Sequence, residues 1–329
     1  MIQVENLSKT FGPKLAVDRI SFAVERGEVL GFLGPNGAGK STTMRIITGF
    51  YPATSGAVRV GGFDIAEHPL EAKRLFGYLP ENAPSYADMT VYGFLGFCAE
   101  MRGLAGDAKK RAIGRVVEMC FLESVLYQSV DTLSKGYRHR TCLAQSLIHD
   151  PGILVLDEPT DGLDPNQKHE VRTLIKSMGE NKAIVFSTHI LEEVEAACTR
   201  AIIIDRGRIV ANGTPGELKR KSDVAGAVVV AIAGDAAAAA VTDKLAALPG
   251  VRGCERLGAG AGPLRLRVLP ATPGADGTLT RAIGELAAQE RWRIEELSVE
   301  EGRLDEVFRS ITLPETVKSA PAPVQEQAA

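Results

Sequence analysis

Apolar runs alternate with helical patterns over the first two thirds of the chain. Near the start, Ile2 and Val4 alternate with polar residues, and Ala16–Val24 repeats this alternation, which predicts two strands with one buried face each. The run over 28–33 is almost continuously apolar and ends at a glycine, which predicts a strand buried on both faces. A helical pattern then covers Lys40–Thr48, so a strand, a turn and a helix are expected in succession.

Later segments repeat this strand-and-helix alternation. Three further buried strands are predicted, at Ile153–Leu156, Ala183–Ser187 and Ala201–Asp205. Helical patterns lie between them at Asn166–Met178 and Leu191–Cys198, which favours an α/β core with parallel strands. Residues 88–148 have helical spacing without strand alternation, so we expect a helical insertion there.

The composition changes near residues 219–226, and a different order of elements follows. The pattern predicts strand, helix, strand, strand, helix and strand, at Val228–Ile232, Ala236–Leu248, Val251–Leu257, Leu264–Leu269, Asp276–Glu290 and Arg293–Ser298. This βαββαβ order is that of ferredoxin-like domains. A last amphipathic helix is expected over Glu300–Thr312, and the Pro-, Ala- and Gln-rich segment 314–329 is predicted to be disordered.

Composition and charge narrow the class of protein. A chain of 329 residues suggests about two domains. The formal net charge of -3 gives no basic footprint, so we expect no nucleic-acid partner. The five cysteines are scattered without a CxxC pair, which indicates free thiols in a reducing compartment and no metal site. No run reaches the ~18–20 apolar residues of a membrane helix, so any membrane role requires a partner.

The glycine-rich turn after the third strand has the spacing GxxxxGK[ST]. Glycines let such a loop point its N–H groups at phosphates, and the following helix adds its N-terminal partial positive charge. Lys40 would bring a full charge to the β- and γ-phosphates, and the Ser41 hydroxyl can ligate Mg²⁺. A glycine turn without a ligand is the weaker alternative in this context. The predicted ATP-binding residues are Gly34, Pro35, Asn36, Gly37, Ala38, Gly39, Lys40, Ser41 and Thr42.

Two adjacent acids end the strand that begins at Ile153. Asp157 at the tip of the strand can hold Mg²⁺, and Glu158 can accept a proton from an attacking water. An isolated Asp-Glu pair of this kind is more often structural, so its interpretation depends on the motifs around it.

The segment Leu133-Ser134-Lys135-Gly136-Tyr137 resembles the LSGGQ signature of the nucleotide-binding subunits of ABC transporters. The resemblance covers Met1–Glu217. It implies that the Ser134 hydroxyl and the Gly136 N–H reach the γ-phosphate of ATP bound to a second subunit. Lys135 and Tyr137 depart from the family's Gly and Gln, and the alternative is a serine that caps an ordinary helix.

Further positions match the family in the same order along the chain. His189 resembles the switch histidine, a second catalytic residue beside Glu158, and Asp164 resembles the residue that communicates across the dimer. Phe11 resembles the aromatic residue that stacks on adenine, with a core phenylalanine as the alternative. Glu81 stands where the family has glutamine, and the resemblance implies that it ligates Mg²⁺ together with Ser41 and Asp157.

The resemblance implies an α/β fold of the P-loop NTPase class. It places an ABC ATP-binding domain at 1–220, with a helical subdomain at about 85–150. A C-terminal α+β accessory domain of ferredoxin-like pattern would occupy 226–313, and a disordered tail 314–329.

The implied function is that of the ATP-binding and ATP-hydrolysing subunit of a bacterial transporter, of the drug-export and gliding-motility type. ATP and Mg²⁺ are the implied cofactors, and two copies would close around two ATP molecules. The partner would be a transmembrane permease, which would hold the cytoplasmic chain at the inner face of the membrane. Contacts with that permease are expected near residues 82–97, although the apolar residues there fit a domain core equally well: Met89, Val91, Phe94 and Leu95.

Three rival functions are weighed against this one. A soluble ABC ATPase of the DNA-repair type would need sustained heptads, and one of the translation type would need two phosphate loops. A non-catalytic nucleotide-binding module is disfavoured because Lys40, Asp157, Glu158 and His189 are all present. A kinase would need an acceptor-binding constellation and would leave the signature unexplained.

Overall fold

Two sheets form the first of the two units into which the chain divides, Met1–Thr214 and Pro215–Ala329. The structure is a computed structural model that describes residues 1–82, 85–233, 238–258, 263–272 and 277–312. Among the described helices, none combines the length and the apolar character needed to cross a membrane.

The first unit contains ten strands and seven α-helices within the described ranges. The strands are β1 (Ile2–Phe11), β2 (Lys14–Val24), β3 (Val29–Leu33), β4 (Ser55–Val60), β5 (Phe63–Asp64), β6 (Phe76–Leu79), β7 (Ile153–Asp157), β8 (Ala183–Thr188), β9 (Arg200–Asp205) and β10 (Arg208–Gly213). The helices are α1 (Lys40–Ile47), α2 (Pro69–Leu75), α3 (Val91–Met101), α4 (Gly106–Met119), α5 (Lys135–Leu147), α6 (Pro165–Gly179) and α7 (Leu191–Ala197).

The central sheet has the strand order β10-β9-β3-β8-β7-β6, and all its neighbours are parallel except β10. Strands β3, β7 and β8 are buried along their whole length, as their continuous apolar sequences predict. Their carboxyl ends lie side by side, since Leu33 is opposite Thr188 and Asp157 is opposite Ser187. The predicted α/β core with parallel strands is confirmed.

A second, antiparallel sheet has the order β2-β1-β4-β5. The alternating apolar residues of β1 and β2 belong to this sheet, because only one of its faces is buried against the core. The sequence pattern had not predicted β4, β5 or the edge strand β10, which are short or weakly alternating.

The helical insertion consists of α3, α4 and α5, and two short 3₁₀ turns, Glu123–Val125 and Val130–Thr132, lie between α4 and α5. Val91, Phe94 and Leu95 point into its core, and Met89 packs against that core from its margin. The burial of Val91 and Leu95 favours the domain-core alternative for these two residues, because an amphipathic helix turns its apolar face inward. Phe94 also lines a groove at the surface of this unit, so a permease contact near residues 82–97 stays a prediction.

The second unit has a four-stranded antiparallel sheet in the order β12-β13-β11-β14. Its elements are α8 (Pro215–Lys219), β11 (Val228–Ala233), α9 (Ala238–Ala246), β12 (Val251–Arg256), β13 (Leu264–Pro270), α10 (Thr278–Gln289), β14 (Arg293–Val299) and α11 (Leu304–Thr312). Helices α9 and α10 contribute to the core on one sheet face. The first two residues of the helix expected at 236–248, the first of the helix expected at 276–290, and the tail 314–329 lie outside the described residues.

The other face of this sheet carries ion pairs. Arg265 pairs with Glu296 at 2.8 Å, and Arg267 pairs with Glu300 at 2.7 Å and with Glu255 at 3.1 Å. The alternation of arginine with leucine in β13 therefore places charges on one face and the apolar core on the other.

We expect Phe186→Ala to lower the free energy of unfolding by about 3–5 kcal/mol, because its large side chain is 1% exposed in the middle of the central sheet. Urea unfolding followed by circular dichroism measures the change. Phe63→Ala is the control, since Phe63 is 39% exposed and its truncation leaves no closed cavity. An equal loss in both variants would contradict the placement of the core.

Candidate nucleotide-binding site

The phosphate-binding loop connects the end of β3 to the start of α1. Gly37 and Gly39 have positive φ angles of 80° and 109°, a region that residues with a side chain rarely enter. A Cβ on Gly39 would come within 2.6 Å of the Ala16 carbonyl oxygen, and one on Gly34 would meet the Ile204 carbonyl oxygen. The close approach of the surrounding backbone thus requires glycine at these positions.

Lys40 is the first residue of α1, and its ammonium lies against the loop. The Nζ atom donates to the carbonyl oxygens of Gly34 at 2.8 Å and Pro35 at 3.4 Å, and it lies 3.7 Å from Glu158 Oε1. The side chain is only 6% exposed, so its charge is weakly screened by water. The geometry places one full positive charge beside the helix N-terminus.

Asp157 ends β7 and is completely buried. Its Oδ1 atom accepts hydrogen bonds from the hydroxyls of Ser41, at 3.1 Å, and Ser187, at 2.5 Å. Its Oδ2 atom has no hydrogen-bond partner among the described residues. A buried carboxylate oxygen without a partner is costly, and a cation would satisfy it.

These oxygen donors fit Mg²⁺. This ion is usually held by one or two protein oxygens, with water and phosphate oxygens completing its coordination. Within the described residues there is no cluster of three or more His, Cys, Asp or Glu side chains suited to a metal. The Ser41 hydroxyl and the free oxygen of Asp157 are the matching pair.

Glu158 has the strained backbone conformation that often marks functional residues, with a φ angle of 52°. Its N–H group donates to the Ser187 carbonyl oxygen at 3.2 Å and lies 3.0 Å from the Ser187 hydroxyl oxygen. Its Oε2 atom is 3.0 Å from Nδ1 of His189. Burial raises the pKa of Glu158, while the neighbouring His189 and Lys40 act in the opposite direction.

A cleft of about 320 Å³ joins the loop to residues that are distant in sequence. Phe11 and Glu81 line it together with the loop and Glu158, so the structure brings both to the site. Phe11 is 42% exposed, packs edge-on against Tyr51 with ring centroids 5.5 Å apart, and therefore is not a core residue. Lys14 also lines the cleft, and no sequence motif had singled it out.

The signature segment lies at the start of α5, where Ser134 is the N-cap and its Oγ atom accepts from the Tyr137 N–H at 3.3 Å. Lys135 pairs with Asp161 at 2.9 Å, and this contact lowers the pKa of Asp161. A Cβ on Gly136 would come within 2.7 Å of the Gln167 side chain. The signature is thus held against the loop that follows the carboxylate pair.

Three residues predicted from the family pattern stay away from the cleft. Ser134, Gly136 and Asp164 are not among its lining residues. Asp164 instead caps α6, where its Oδ1 atom accepts from the Gln167 N–H at 2.9 Å. Within one copy of the chain, the structure therefore brings together the phosphate loop, Glu81, the two acids and His189, but not the signature.

Sequence reasoning missed two groups that organise the site. Ser187 links Asp157 to Glu158, and its hydroxyl had been passed over as part of an apolar strand. Glu193 is a buried acid in α7. In sequence, Glu193 follows Glu192 and precedes Val194, which is typical of a solvent-exposed helix position. Only the tertiary contacts reveal its role.

The parallel sheet, the glycine loop at the start of α1 and the acids at the end of β7 define a phosphate-loop nucleoside triphosphatase. Residues 17–161 match the family model described as ABC transporter. The chain therefore belongs to the ABC transporter family, as the resemblance of its signature predicted, and it is an ATPase of that family.

Individual relatives agree with this assignment. The chain is 39% identical over 220 residues to the linearmycin resistance ATP-binding protein LnrL of Bacillus subtilis, covering 66% of this chain and 70% of LnrL. It is 41% identical over 223 residues to the probable multidrug ABC transporter ATP-binding protein YbhF of Escherichia coli, covering 68% of this chain but only 38% of YbhF. A solved ATP-binding subunit of an ABC transporter superposes with a TM-score of 0.63 at 30% identity, covering 67% of this chain and 92% of that one.

We expect Glu158→Gln to raise the melting temperature of the nucleotide-free protein at pH 8. The folded state raises the pKa of Glu158, so its charged form is disfavoured there and its contribution to stability is lost as the pH rises through that pKa. The gain should shrink as the pH falls and the wild-type carboxyl becomes protonated. Differential scanning calorimetry from pH 8 down to pH 5 measures it. A gain that grows on acidification would contradict the sign of the shift.

Proposed function

We propose that this chain is the ATP-hydrolysing subunit of a bacterial transporter, and that it works as a homodimer on a separate transmembrane permease. One observation carries the proposal: residues of the phosphate loop line one cleft together with Glu158, and Asp157 is bonded to Ser41 of that loop, while the family signature lies outside the cleft on the same chain. A signature that does not reach its own nucleotide fits a site completed by a second copy. The chain would then lie at the cytoplasmic face of the membrane, held there through its permease.

Within one copy, the loop N–H groups and Lys40 bind the phosphates of ATP. Ser41 and Asp157 hold Mg²⁺, with Glu81 at the margin of the same cleft. The ion supplies neutralisation of the phosphate charge when it is bound. Phe11, exposed at the cleft, offers its ring to the adenine base.

Glu158 and His189 are the catalytic residues of this proposal. Glu158 orients the attacking water and accepts its proton, for which a carboxyl with a raised pKa is suited. His189 holds the Glu158 carboxyl through its Nδ1 atom and leaves its other nitrogen for the γ-phosphate. The Lys40 ammonium lies 3.7 Å from Glu158 Oε1, so a phosphate bound by Lys40 would share its positive charge with that carboxylate.

The second copy supplies the remaining ligands of the γ-phosphate. Ser134 and Gly136 lie at the start of α5, where the helix N-terminus favours an anion. Asp164 lies in the adjacent loop and would face the partner copy. ATP then binds the closed dimer better than the open one, and hydrolysis removes that preference, so the nucleotide shifts the population between the two states.

A large groove offers the docking surface for the permease. Its volume is about 1820 Å³, and it is lined by the end of α1, by α2 and by the outer side of α3. Leu70, Met101 and Phe50 are exposed apolar side chains along it. Exposed apolar side chains gathered in a groove mark a binding surface more often than a solvated one.

The groove is also cationic. Four positive side chains line it: Arg45, Lys73, Arg74 and Arg102. Among its described lining residues there is no carboxylate. Burial lowers the pKa of Arg102, and its guanidinium donates to the carbonyl oxygens of Lys73, at 2.7 Å, and Phe76, at 3.4 Å. A permease segment that carries apolar residues and carboxylates would complement this groove. We also propose export as the direction of transport, because LnrL and YbhF are named for drug resistance and multidrug transport.

We also propose that an ATP-binding domain covers 1–220, with the helical subdomain at about 85–150, and that an accessory domain of the ferredoxin-like class covers 226–313. The order β12-β13-β11-β14 and the two helices on one sheet face support the second assignment. Among the described residues of this unit we find no cluster of catalytic side chains, so a regulatory or dimer-supporting role fits it best.

Glu158→Gln should lower ATP turnover by about 10²–10⁴-fold and accumulate a closed dimer, because ATP still binds while the proton acceptor is lost. Size-exclusion chromatography with and without ATP measures the dimer. Lys40→Ala is the matched control, since loss of phosphate binding should leave that variant monomeric in both conditions. If Glu158→Gln stays monomeric with ATP, or keeps wild-type turnover, the catalytic role of Glu158 is wrong.

Reversing two charges of the groove should weaken the attachment to the permease. The tagged chain is purified from native membranes in mild detergent, and co-purifying multi-span proteins are quantified by mass spectrometry. We expect Lys73→Glu combined with Arg74→Glu to reduce the co-purified permease at least about tenfold, because like charges would then face each other.

The control for this experiment reverses two neighbouring cations on α4, Lys110→Glu with Arg111→Glu, which lie outside the groove. Equal retention of the permease by both double variants would contradict docking in the groove. Co-purification of ribosomal or DNA-repair proteins instead of a multi-span protein would contradict the transporter function itself.

A further inference from the structure

A buried carboxylate lies between the two loops that carry the catalytic residues. Glu193 is in α7, four residues after His189, and is only 1% exposed. Its Oε1 atom accepts a hydrogen bond from the Thr160 hydroxyl, and its Oε2 atom accepts one from the Thr188 hydroxyl at 2.6 Å. One side chain thus bonds to two loops that leave different strands.

Each threonine lies within two residues of a proposed catalytic residue in the sequence. Thr160 follows Glu158 by two residues, at the end of β7, and Thr188 directly precedes His189, at the end of β8. The Thr188 hydroxyl also accepts from the Ile190 N–H at 3.0 Å, so its bonds span the backbone of His189. Any displacement of Glu193 is therefore passed to the residues on both sides of the Glu158–His189 contact.

We expect Glu193 to contribute little more to the stability of the fold than an apolar residue at the same position would. Among the described residues no ion pair to Glu193 is found, and burial of a carboxylate costs free energy even when two hydroxyls donate hydrogen bonds to it. An apolar side chain of similar volume could fill the same space, but it could not bond to both hydroxyls. The two oxygens of one carboxylate lie at a fixed covalent spacing, which is what a spacer between two loops requires.

We propose that Glu193 is a positioning residue, which sets the spacing between Glu158 and His189 by joining Thr160 to Thr188. The inference rests on the catalytic roles proposed for Glu158 and His189. It concerns the step after ATP has bound, because the hydrogen bonds described for Glu193 run to the ends of β7 and β8, whereas the phosphate loop and α1 follow β3. Misplacement of catalytic groups by about 1 Å lowers rates by up to about a hundredfold.

The test compares hydroxyl removal with hydroxyl retention. Thr188→Val and Thr160→Val keep the volume and lose the hydroxyl, whereas Thr188→Ser and Thr160→Ser keep the hydroxyl. Steady-state ATP hydrolysis by the full chain gives kcat and KM for each variant, and binding of a fluorescent ATP analogue gives its Kd. Thr141→Val is the buried control, because the Thr141 hydroxyl donates to Tyr137 O within its own helix.

We expect both valine variants to lose about tenfold to a hundredfold in kcat, with KM and Kd within about twofold of wild type. Both serine variants should recover most of kcat, and Thr141→Val should behave as wild type. A merely structural role would move the melting temperature, and would leave kcat unchanged in those molecules that stay folded. Unchanged kcat in folded valine variants would overturn the proposal, and so would equal losses in the serine variants.

If the valine variants do not fold, Glu193→Met decides the question, because it keeps most of the side-chain volume and removes both carboxylate acceptors. A lower kcat with unchanged KM supports the positioning role, and an unchanged kcat refutes it. Glu158→Gln is assayed in parallel. If Glu158→Gln itself retains wild-type turnover, the proposed catalytic role has failed. Loss of turnover in Glu158→Gln with normal turnover in Glu193→Met and in the threonine variants rejects the positioning role alone.

Discussion

The parallel pairing of β3, β8 and β7 places the carboxyl ends of these three strands at one edge of the central sheet. In this register Asp157 lies opposite Ser187 and Leu33 lies opposite Thr188, so the phosphate loop, the two acids and the histidine loop all start from neighbouring points. No loop has to extend far to bring its side chain to the cleft. Because the strands are buried on both faces, their relative positions are fixed by packing, and the site takes its precision from the sheet.

Charge burial is the cost of this arrangement. Asp157, Glu158 and Glu193 are all largely withdrawn from water within two neighbouring strand ends. Each has a different compensation: two serine hydroxyls for Asp157, Lys40 and His189 for Glu158, and two threonine hydroxyls for Glu193. Such a region is less stable than an apolar one of the same volume, and buried charged groups of this kind are concentrated at functional sites in proteins.

Local chemistry made much of the site predictable. The loop 34–41 is contiguous, and its glycines and Lys40 are required by the phosphates whatever the rest of the fold does. The buried strands were equally visible, because a parallel sheet covered on both faces leaves continuous apolar runs. The roles of Val91 and Phe94 were harder to predict, because a core helix and a docking surface are both apolar in sequence and only the packing distinguishes one from the other. Glu193 and Ser187 depend on contacts between strands that are about 30 residues apart, so their roles appear only in three dimensions.

Helix α1 links the two binding regions of the first unit. Its first residues, Lys40 and Ser41, belong to the nucleotide cleft, while Arg45 and the residues just after its end line the cationic groove. The helix has eight residues and is thus a stiff rod about 12 Å long. If nucleotide binding changes the affinity of the proposed docking groove through this helix, occupation of the groove must change the affinity for nucleotide by the same factor. A permease that docked there, as proposed above, would therefore regulate the ATPase as well as being driven by it.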